Sequence, residues 1–354
     1  MFEQGLGQPD LSVIIPCYQS APWLPSTLAH CHACVLASGW TAEIVVVDDG
    51  STDGSAELVE RFAATSSVPV RLVRQANAGR FLARWAGLQA AAGHLVLLLD
   101  SRVLIDEESL AYVRGELARR PELPVWNGHA VTDPDAALVG HFWEVPTHLF
   151  WGGYLRAPRP SQFGPADFNR YPKGTGLFFA PRRLLVDTCR AVWPQADAAL
   201  ASDDTKLIRH LAASGPVRIG PGFSARYRPR EEVRPFVRHS FARGTFLVDS
   251  FGGTSWSWNV LLVALLVAPV AAVLVPASML AAGELSLVLG VLLAGSLALV
   301  APAAVAAARG CPRRGLLAYV IYLPVFVVPY WAGLVRGLVV HRSVLRRPRA
   351  EVLA

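Results

Sequence analysis

Apolar positions along this chain follow two periods in its first two thirds and lose periodicity in the last third. Leu11–Tyr18 (LSVIIPCY) is a short apolar run that reads as a strand stopped by Pro16. A second run, EIVVVDDGSTDGS, ends in Asp48, Asp49 and a Gly/Ser turn, and VRLVRQ is a third. The apolar residues Leu95–Leu99 form a fourth run without alternation, the pattern of a strand covered on both faces. Between the runs, SAELVERFAA and GRFLARWAGLQAAAG carry apolar residues at helical spacing, with Ser55 placed to cap the first and Gly93 to end the second. Strands alternating with helices predict an α/β domain with a mostly parallel sheet. From Trp126 to Phe179 regularity fades and aromatics accumulate, which predicts loops and antiparallel strands forming a wall of the site. SDDTKLIRHLAASG then predicts a helix entered through acids and ended by Gly215.

Past Trp258 the polar positions disappear. Blocks at about 258–280, 285–308 and 316–335 each have the apolar length that a bilayer core requires. The third contains Pro324 and Pro329, so a full span and a re-entrant hairpin both fit it, the full span being preferred for its apolar length. Just before the blocks, Val233, Phe236, Val237 and Phe241 recur at helical spacing among Arg234, Arg238 and Arg243. That is the pattern of a basic amphipathic helix lying along lipid headgroups. Three regions follow: a catalytic domain over 1–230, an interfacial segment over 231–256, and a membrane region with a basic tail over 257–354.

Composition adds direction. The net charge of +6 rests on arginine, since the only lysines are Lys173 and Lys206. The arginines flank the apolar blocks and no nucleic-acid motif accompanies them, so a nucleic-acid partner is not expected. The turn between the first two blocks has no basic residue, whereas Arg309, Arg313 and Arg314 separate the second from the third. The positive-inside rule then puts the first domain in the cytoplasm of a multi-pass protein of the plasma membrane. The N-terminus (MFEQGLGQPD) has no basic start before an apolar stretch, so no signal peptide is expected. Cys31 and Cys34 form C-x-x-C without a second ligand pair, and packing with partly exposed thiols explains them better than metal or redox chemistry.

The chemistry gathers at strand ends. Asp48 and Asp49 close one buried strand and Asp100 closes another, where open α/β sheets bind ligands. LSVIIPCYQSAPWLPSTL, EIVVVDDGSTDGS, NAGRFLARWAGLQAAAGHLVLLLDSR and SDDTKLIRHLAASG also occur in the order and spacing of family 2 glycosyltransferases, which this chain resembles over roughly Leu11–Gly215. The resemblance implies the GT-A fold and inverting transfer from a nucleotide sugar. It places the nucleotide base at Pro16, Tyr18 and Asp49. It places the diphosphate near Asn77, Gly79, Ala83 and Arg84, and the general base in the pair Asp203–Asp204, with Asp204 preferred. Some membrane-bound relatives set a cationic segment against the diphosphate, which His239 and Arg243 would match. The family usually ends its fourth strand in Asp-x-Asp, whose last residue reaches a divalent metal, Mg2+ or Mn2+. Here the triplet is Asp100-Ser101-Arg102, and a guanidinium cannot ligate a cation. Three readings stand: Arg102 pairs with the diphosphate, Asp100 holds the metal, alone or through water, with Arg102 turned aside, or the site is impaired.

The expected function is transfer of a sugar from a nucleotide-diphosphate sugar to a lipid, a lipid carrier or a lipid-linked glycan in cell-envelope synthesis. A polyprenyl-phosphate sugar synthase is the nearest alternative. A non-catalytic nucleotide-sugar-binding or scaffolding membrane protein is the alternative from another class.

Overall fold

The computed structural model describes residues 8–194 and 204–341. Two compact units share them, with the chain crossing from one to the other at 134/135, 157/158 and 229/230. The first unit opens with β1 (Leu11–Cys17), α1 (Leu24–Ser38), β2 (Ala42–Asp48), α2 (Ser55–Ala63), β3 (Val70–Arg74), α3 (Arg80–Ala90) and β4 (Leu95–Leu99). β5 (Val103–Ile105), α4 (Ser109–Arg119), β6 (Trp126–Asn127) and β7 (His129–Thr132) follow. In the second unit a 3-10 helix over Leu138–Trp143 leads into α5 (Glu144–Leu155). The chain then returns to the first unit for β8 (Ser161–Phe163), β9 (Leu177–Pro181), α6 (Arg182–Ala191), α7 (Thr205–Ser214), β10 (Val217–Ile219) and β11 (Ser224–Tyr227).

An eight-stranded sheet has the order β3-β2-β1-β4-β9-β6-β10-β8, and β5-β11-β7 form a smaller one. β3, β2, β1 and β4 run parallel, while β9 is antiparallel to β4. All seven residues of β1 are buried, as are Ile44–Asp48 of β2, because helices cover both faces. Successive crossovers leave β1 in opposite directions, to β2 and eventually to β4. The crevice at their carboxyl ends is therefore a topological switch point, where ligands of open α/β sheets bind.

Several local expectations change. Pro16 does not stop β1; it pairs with Val47 of β2. The missing N–H is harmless there because the ladder with β4 has already ended at Ile14–Leu98. Ser55 is the first residue of α2, and the cap comes from Asp53, whose Oδ1 accepts the Ser55 N–H at 3.1 Å. α3 ends at Ala90, and Gly93 instead sits tight on β1, where its N–H donates to Ser12 Oγ at 2.8 Å. Cys31 and Cys34 are wholly buried rather than partly exposed, and burial pushes the Cys34 thiol up to about 12. The stretch 126–179 does hold the antiparallel strands β8 and β9, but its middle is helical and belongs to the second unit.

The second unit continues with α8 (Val233–Phe251), α9 (Trp256–Ala281), α10 (Leu285–Ala308) and α11 (Arg313–Val340). The last three are long and apolar enough to cross a membrane. α11 stays helical through Pro324 and Pro329. α8 is not a helix lying free on a surface. Its buried residues include Phe236, Ser240, Gly244, Thr245 and Val248, and these form a seam with α11. A Cβ on Gly244 would strike the Tyr330 carbonyl, and one on Gly333 would strike that of Phe241. Thr245 Oγ1 donates to Gly333 O at 3.0 Å across the same contact. Small residues let the two backbones meet. Phe142 fills the unit's aromatic core among Tyr319, Phe326 and Phe236.

Candidate active site

The switch-point crevice is assembled from three turns. After β1 the chain passes through Tyr18, which is 52% exposed, to Gln19 at φ 49° and Ser20. Ser20 Oγ and Ser101 Oγ lie 2.9 Å apart, and Thr27 Oγ1 donates to Ser101 O at 2.9 Å, so the turn after β1 is tied to the turn after β4. After β2, Asp48 Oδ1 accepts the Ser51 N–H at 3.0 Å and holds the Gly/Ser turn. Gly50 has φ +78°, and a Cβ there would lie 2.9 Å from Asn77 N, so glycine alone lets the turn pack on the third segment.

Asp49 organises that third segment. Its Oδ1 accepts from Gln75 Nε2 at 2.6 Å and from Ala78 N at 2.8 Å, its Oδ2 from Gly79 N at 2.9 Å, and its carbonyl from Asn77 Nδ2 at 3.0 Å. Both carboxylate oxygens are thus engaged with residues 75–79. The loop they shape delivers the amino end of α3 to the crevice, and a helix amino end favours anions.

At the end of β4, Asp100 Oδ1 accepts from Arg84 Nη2 at 2.6 Å. The Arg84 side chain is 5% exposed and that of Asp100 is 23%. Burial pulls the Arg84 guanidinium below its ordinary value and Arg80 adds to the pull, while Asp100 and Asp204 oppose it. Asp204 therefore acts on the same guanidinium as Asp100. Its own carboxylate caps α7, accepting from the Thr205 N–H and, at 3.0 Å, from Thr205 Oγ1. Asp203 lies outside the described residues.

Arg102 is turned to other partners. Its guanidinium carbon sits 3.6 Å from the centroid of the Trp23 ring, its Nε donates to Arg228 O at 3.2 Å and its Nη2 to Pro229 O at 3.4 Å. The backbone reinforces the link, with Arg228 N donating to Arg102 O at 2.8 Å. These contacts engage the guanidinium through the Trp23 ring face and two backbone carbonyls. Nothing in its sequence neighbourhood names Trp23 as the partner. His239 and Arg243 stand one turn apart on α8 in the second unit, where Arg243 Nε donates to His239 Nε2 at 3.0 Å and the guanidinium lies over Trp143.

Lys173 was not singled out by sequence. Its ammonium donates to Phe168 O at 2.6 Å and Tyr171 O at 2.7 Å and lies 4.4 Å from the Phe168 ring centroid. Burial pushes it down to about 7, with Arg209 pushing the same way and Asp204 opposing. Its rarity was the available signal, being one of two lysines in an arginine-rich chain.

For a divalent cation the donor set is thin. Among the described residues no three His, Cys, Asp or Glu side chains cluster. Asp100 has one oxygen on Arg84, and its Oδ2 lies against Gly176, where a Cβ would come to 3.0 Å. One carboxylate still fits Mg2+ or Mn2+ when substrate phosphates supply the other oxygens.

Residues 12–134 match the family described as Glycosyl transferase family 2. The glycosyltransferase YibD of Escherichia coli (strain K12), described as uncharacterized, is 29% identical over 170 residues, which are 41% of this chain and 48% of that protein. An undecaprenyl-phosphate 4-deoxy-4-formamido-L-arabinose transferase of Pseudomonas aeruginosa (strain LESB58) is 40% identical over 92 residues, 26% of this chain and 27% of that protein. The chain thus spans about half, or less, of the length of these curated relatives. The mannosyltransferase PcManGT from Pyrobaculum calidifontis, solved in complex with GDP-Man and Mn2+, superposes with a TM-score of 0.54 at 20% identity, over 94% of this chain and 88% of that one. The class is that of GT-A folds. Within it, the similarity of residues 12–134 is to family 2 glycosyltransferases.

Proposed function

We propose that the protein is a membrane-anchored, inverting glycosyltransferase that moves a sugar from a nucleoside-diphosphate sugar to a lipid-linked acceptor or lipid carrier. The observation that carries this reading is the ion pair between the buried Arg84 guanidinium and the part-exposed Asp100 at the switch point. Tyr18 and Pro16 line the base side, and Asp49 shapes the loop that receives the diphosphate at the amino end of α3. Arg84 meets the charge that builds on the departing diphosphate, a fixed cation in a dry setting. Where the acceptor is a hydroxyl, Asp204 takes its proton as it attacks the anomeric carbon opposite the leaving group. Where a divalent cation binds, Asp100 and the substrate phosphates hold it, and it supplies further positive charge to the diphosphate.

The apolar helices of the second unit are read as the anchor, with the catalytic unit cytoplasmic because Arg309, Arg313 and Arg314 lie on one side of the blocks. A relative named for undecaprenyl phosphate favours a polyprenyl phosphate as the acceptor. The test is transfer by the detergent-solubilised full chain across UDP-, GDP- and dTDP-sugars, with polyprenyl phosphate or a glycolipid offered, with and without Mn2+. Absence of transfer and of donor hydrolysis under every combination would overturn the reading in favour of a binding protein.

Two variants probe the pocket. Asp49→Ala releases three N–H donors of the 75–79 loop, so nucleotide affinity measured by calorimetry should fall at least about tenfold, whatever the acceptor. Unchanged affinity would remove Asp49 from the pocket. Arg102→Ala loses a cation–π contact and two carbonyl bonds, so it should lower Tm and cost about 1–3 kcal/mol of stability. Its nucleotide affinity should stay within about threefold of wild type. Arg102→Asp restores the family triplet and should tighten Mn2+-dependent nucleotide binding. A large loss of nucleotide affinity in Arg102→Ala with unchanged Tm would return Arg102 to the diphosphate.

A further inference from the structure

α9 and α10 are joined by a reversal at residues 282–284, with Gly283 at φ +80°. The start of α9 and the end of α10 are level with one another, because neighbouring residues of α5 touch both. Phe150 stacks on Trp258 with centroids 6.1 Å apart, and Leu149 O accepts from Arg309. Depth along the two helices can be counted from that end at about 1.5 Å per residue.

The contacts of α11 with this hairpin all fall within about 15 Å of that end. Tyr319 Oη donates to Leu299 O at 3.2 Å, and Tyr319 and Leu323 share a buried cluster with Ala303 and Ala306 of α10. Further along, Trp331 Nε1 donates to Leu266 O at 2.9 Å, and Tyr330, Leu334 and Leu338 share a cluster with Leu262, Leu265 and Leu266 of α9. Leu299 and Leu266 both lie about 15 Å from the common end, although Tyr319 and Trp331 are about 18 Å apart along α11. The third helix thus passes from α10 to α9 within that depth. A span running beside the hairpin would meet it at successive depths.

We propose that α9 and α10 alone cross the membrane and that α11 lies across the base of their hairpin, along the lipid interface, with α8 beside it. This rests on the reading of α9 and α10 as membrane-crossing. α8 follows α11 in the same direction: Phe236 faces Tyr322, Thr245 bonds to Gly333, and Asp249 Oδ1 lies 3.3 Å from His341 Nδ1. The two helices form one layer. Leu317, Ile321, Val328, Val335 and Val339 recur along α11 as exposed apolar side chains, the stripe that an interfacial helix turns toward acyl chains. Beyond the crossing, Val267–Ala281 extends about 22 Å further. With α11 immersed by about 5–10 Å, that length completes a hydrocarbon core of about 30 Å.

The arrangement also accounts for the charges. Arg342, Arg346, Arg347 and Arg349 follow α11 in the sequence. Three crossings would strand them opposite Arg309, Arg313 and Arg314; two put every one of them on the same side.

The test uses the full chain in sealed vesicles, with a tag at each end and, separately, Glu284→Cys in the hairpin turn, read with a membrane-impermeant maleimide against the unsubstituted protein as blank. Both tags should be accessible from one side and the thiol introduced in the turn from the other. A carboxyl-terminal tag on the same side as that thiol would overturn the proposal and leave the hairpin standing. The introduced thiol on the side of both tags would overturn the hairpin itself. Spin labels at Leu317→Cys, Val328→Cys and Val339→Cys give a second reading through oxygen and nickel-complex accessibility. An interfacial α11 keeps their depths within a few ångströms, whereas a span separates 317 from 328 by about 16 Å.

Discussion

Asp204→Asn should bind the nucleotide sugar with near-normal affinity and lose about 10²–10⁴-fold in transfer to a hydroxyl acceptor. Asparagine keeps the shape and can still accept from the Thr205 N–H, so α7 retains its cap. What disappears is the carboxylate that receives the proton. The size of the loss also reports the acceptor. A phosphate monoester has its second pKa near about 6 and is already ionised at neutral pH, so a polyprenyl phosphate attacks without help from a base. Transfer to such an acceptor should fall far less than transfer to a sugar hydroxyl. Single-turnover assays with the two acceptors, alongside calorimetry with the nucleotide sugar, separate these outcomes. Wild-type turnover on a hydroxyl acceptor would remove Asp204 from the role.

The parallel half of the sheet was legible because its signal is local. Runs such as Ile44–Val47 and Leu95–Leu99 are apolar on both faces, and only a strand covered by helices buries both. The acids at the ends of those runs marked the crevice for the same reason. Partner choice was not legible. That Asp49 would spend its oxygens on Ala78, Gly79 and Gln75, or that Arg102 would settle on Trp23, depends on turns brought together from 26 to 127 residues apart. The helix in the middle of 126–179 was hidden by its own composition. Its aromatics look irregular until Phe142 is seen packed among Tyr319, Phe326 and Phe236. The α8 seam was concealed by a choice of face. Phe236 belongs to it as periodicity suggests, but Val233 is 43% exposed, and Gly244 and Thr245, which no hydrophobic pattern highlights, make the closest approach.

Arg102 is the clearest case of a residue whose type was informative and whose position was not. A guanidinium where relatives carry a carboxylate weakens the donor set for a metal wherever it points. Its anchoring between Trp23 and the carbonyls of Arg228 and Pro229 converts a departure from the family triplet into a brace on the strand β11 exit. On the proposed function, positive charge at the leaving diphosphate comes from Arg84, the buried cation at the same strand end.

Arg84→Met should accordingly be among the most damaging single changes in the first unit. Removing the buried guanidinium leaves the part-exposed Asp100 carboxylate without its partner and costs about 1–3 kcal/mol. Thermal unfolding of the full chain should show a fall of Tm, and Asp100→Asn on the same background should recover part of it, because the orphaned carboxylate is then neutral. Transfer behaves differently. Loss of a fixed cation at the leaving diphosphate is worth about 3 kcal/mol in the barrier, a hundredfold or more in rate. The double variant Arg84→Met/Asp100→Asn should therefore regain stability without regaining transfer. Arg84→Lys keeps the charge but loses the planar donor that reaches Asp100, so it should retain more transfer than Arg84→Met at a comparable Tm. Recovery of transfer in parallel with Tm in the double variant would show that Arg84 serves the fold alone, and the search for the cation opposite the diphosphate would move to Arg80 at the amino end of α3.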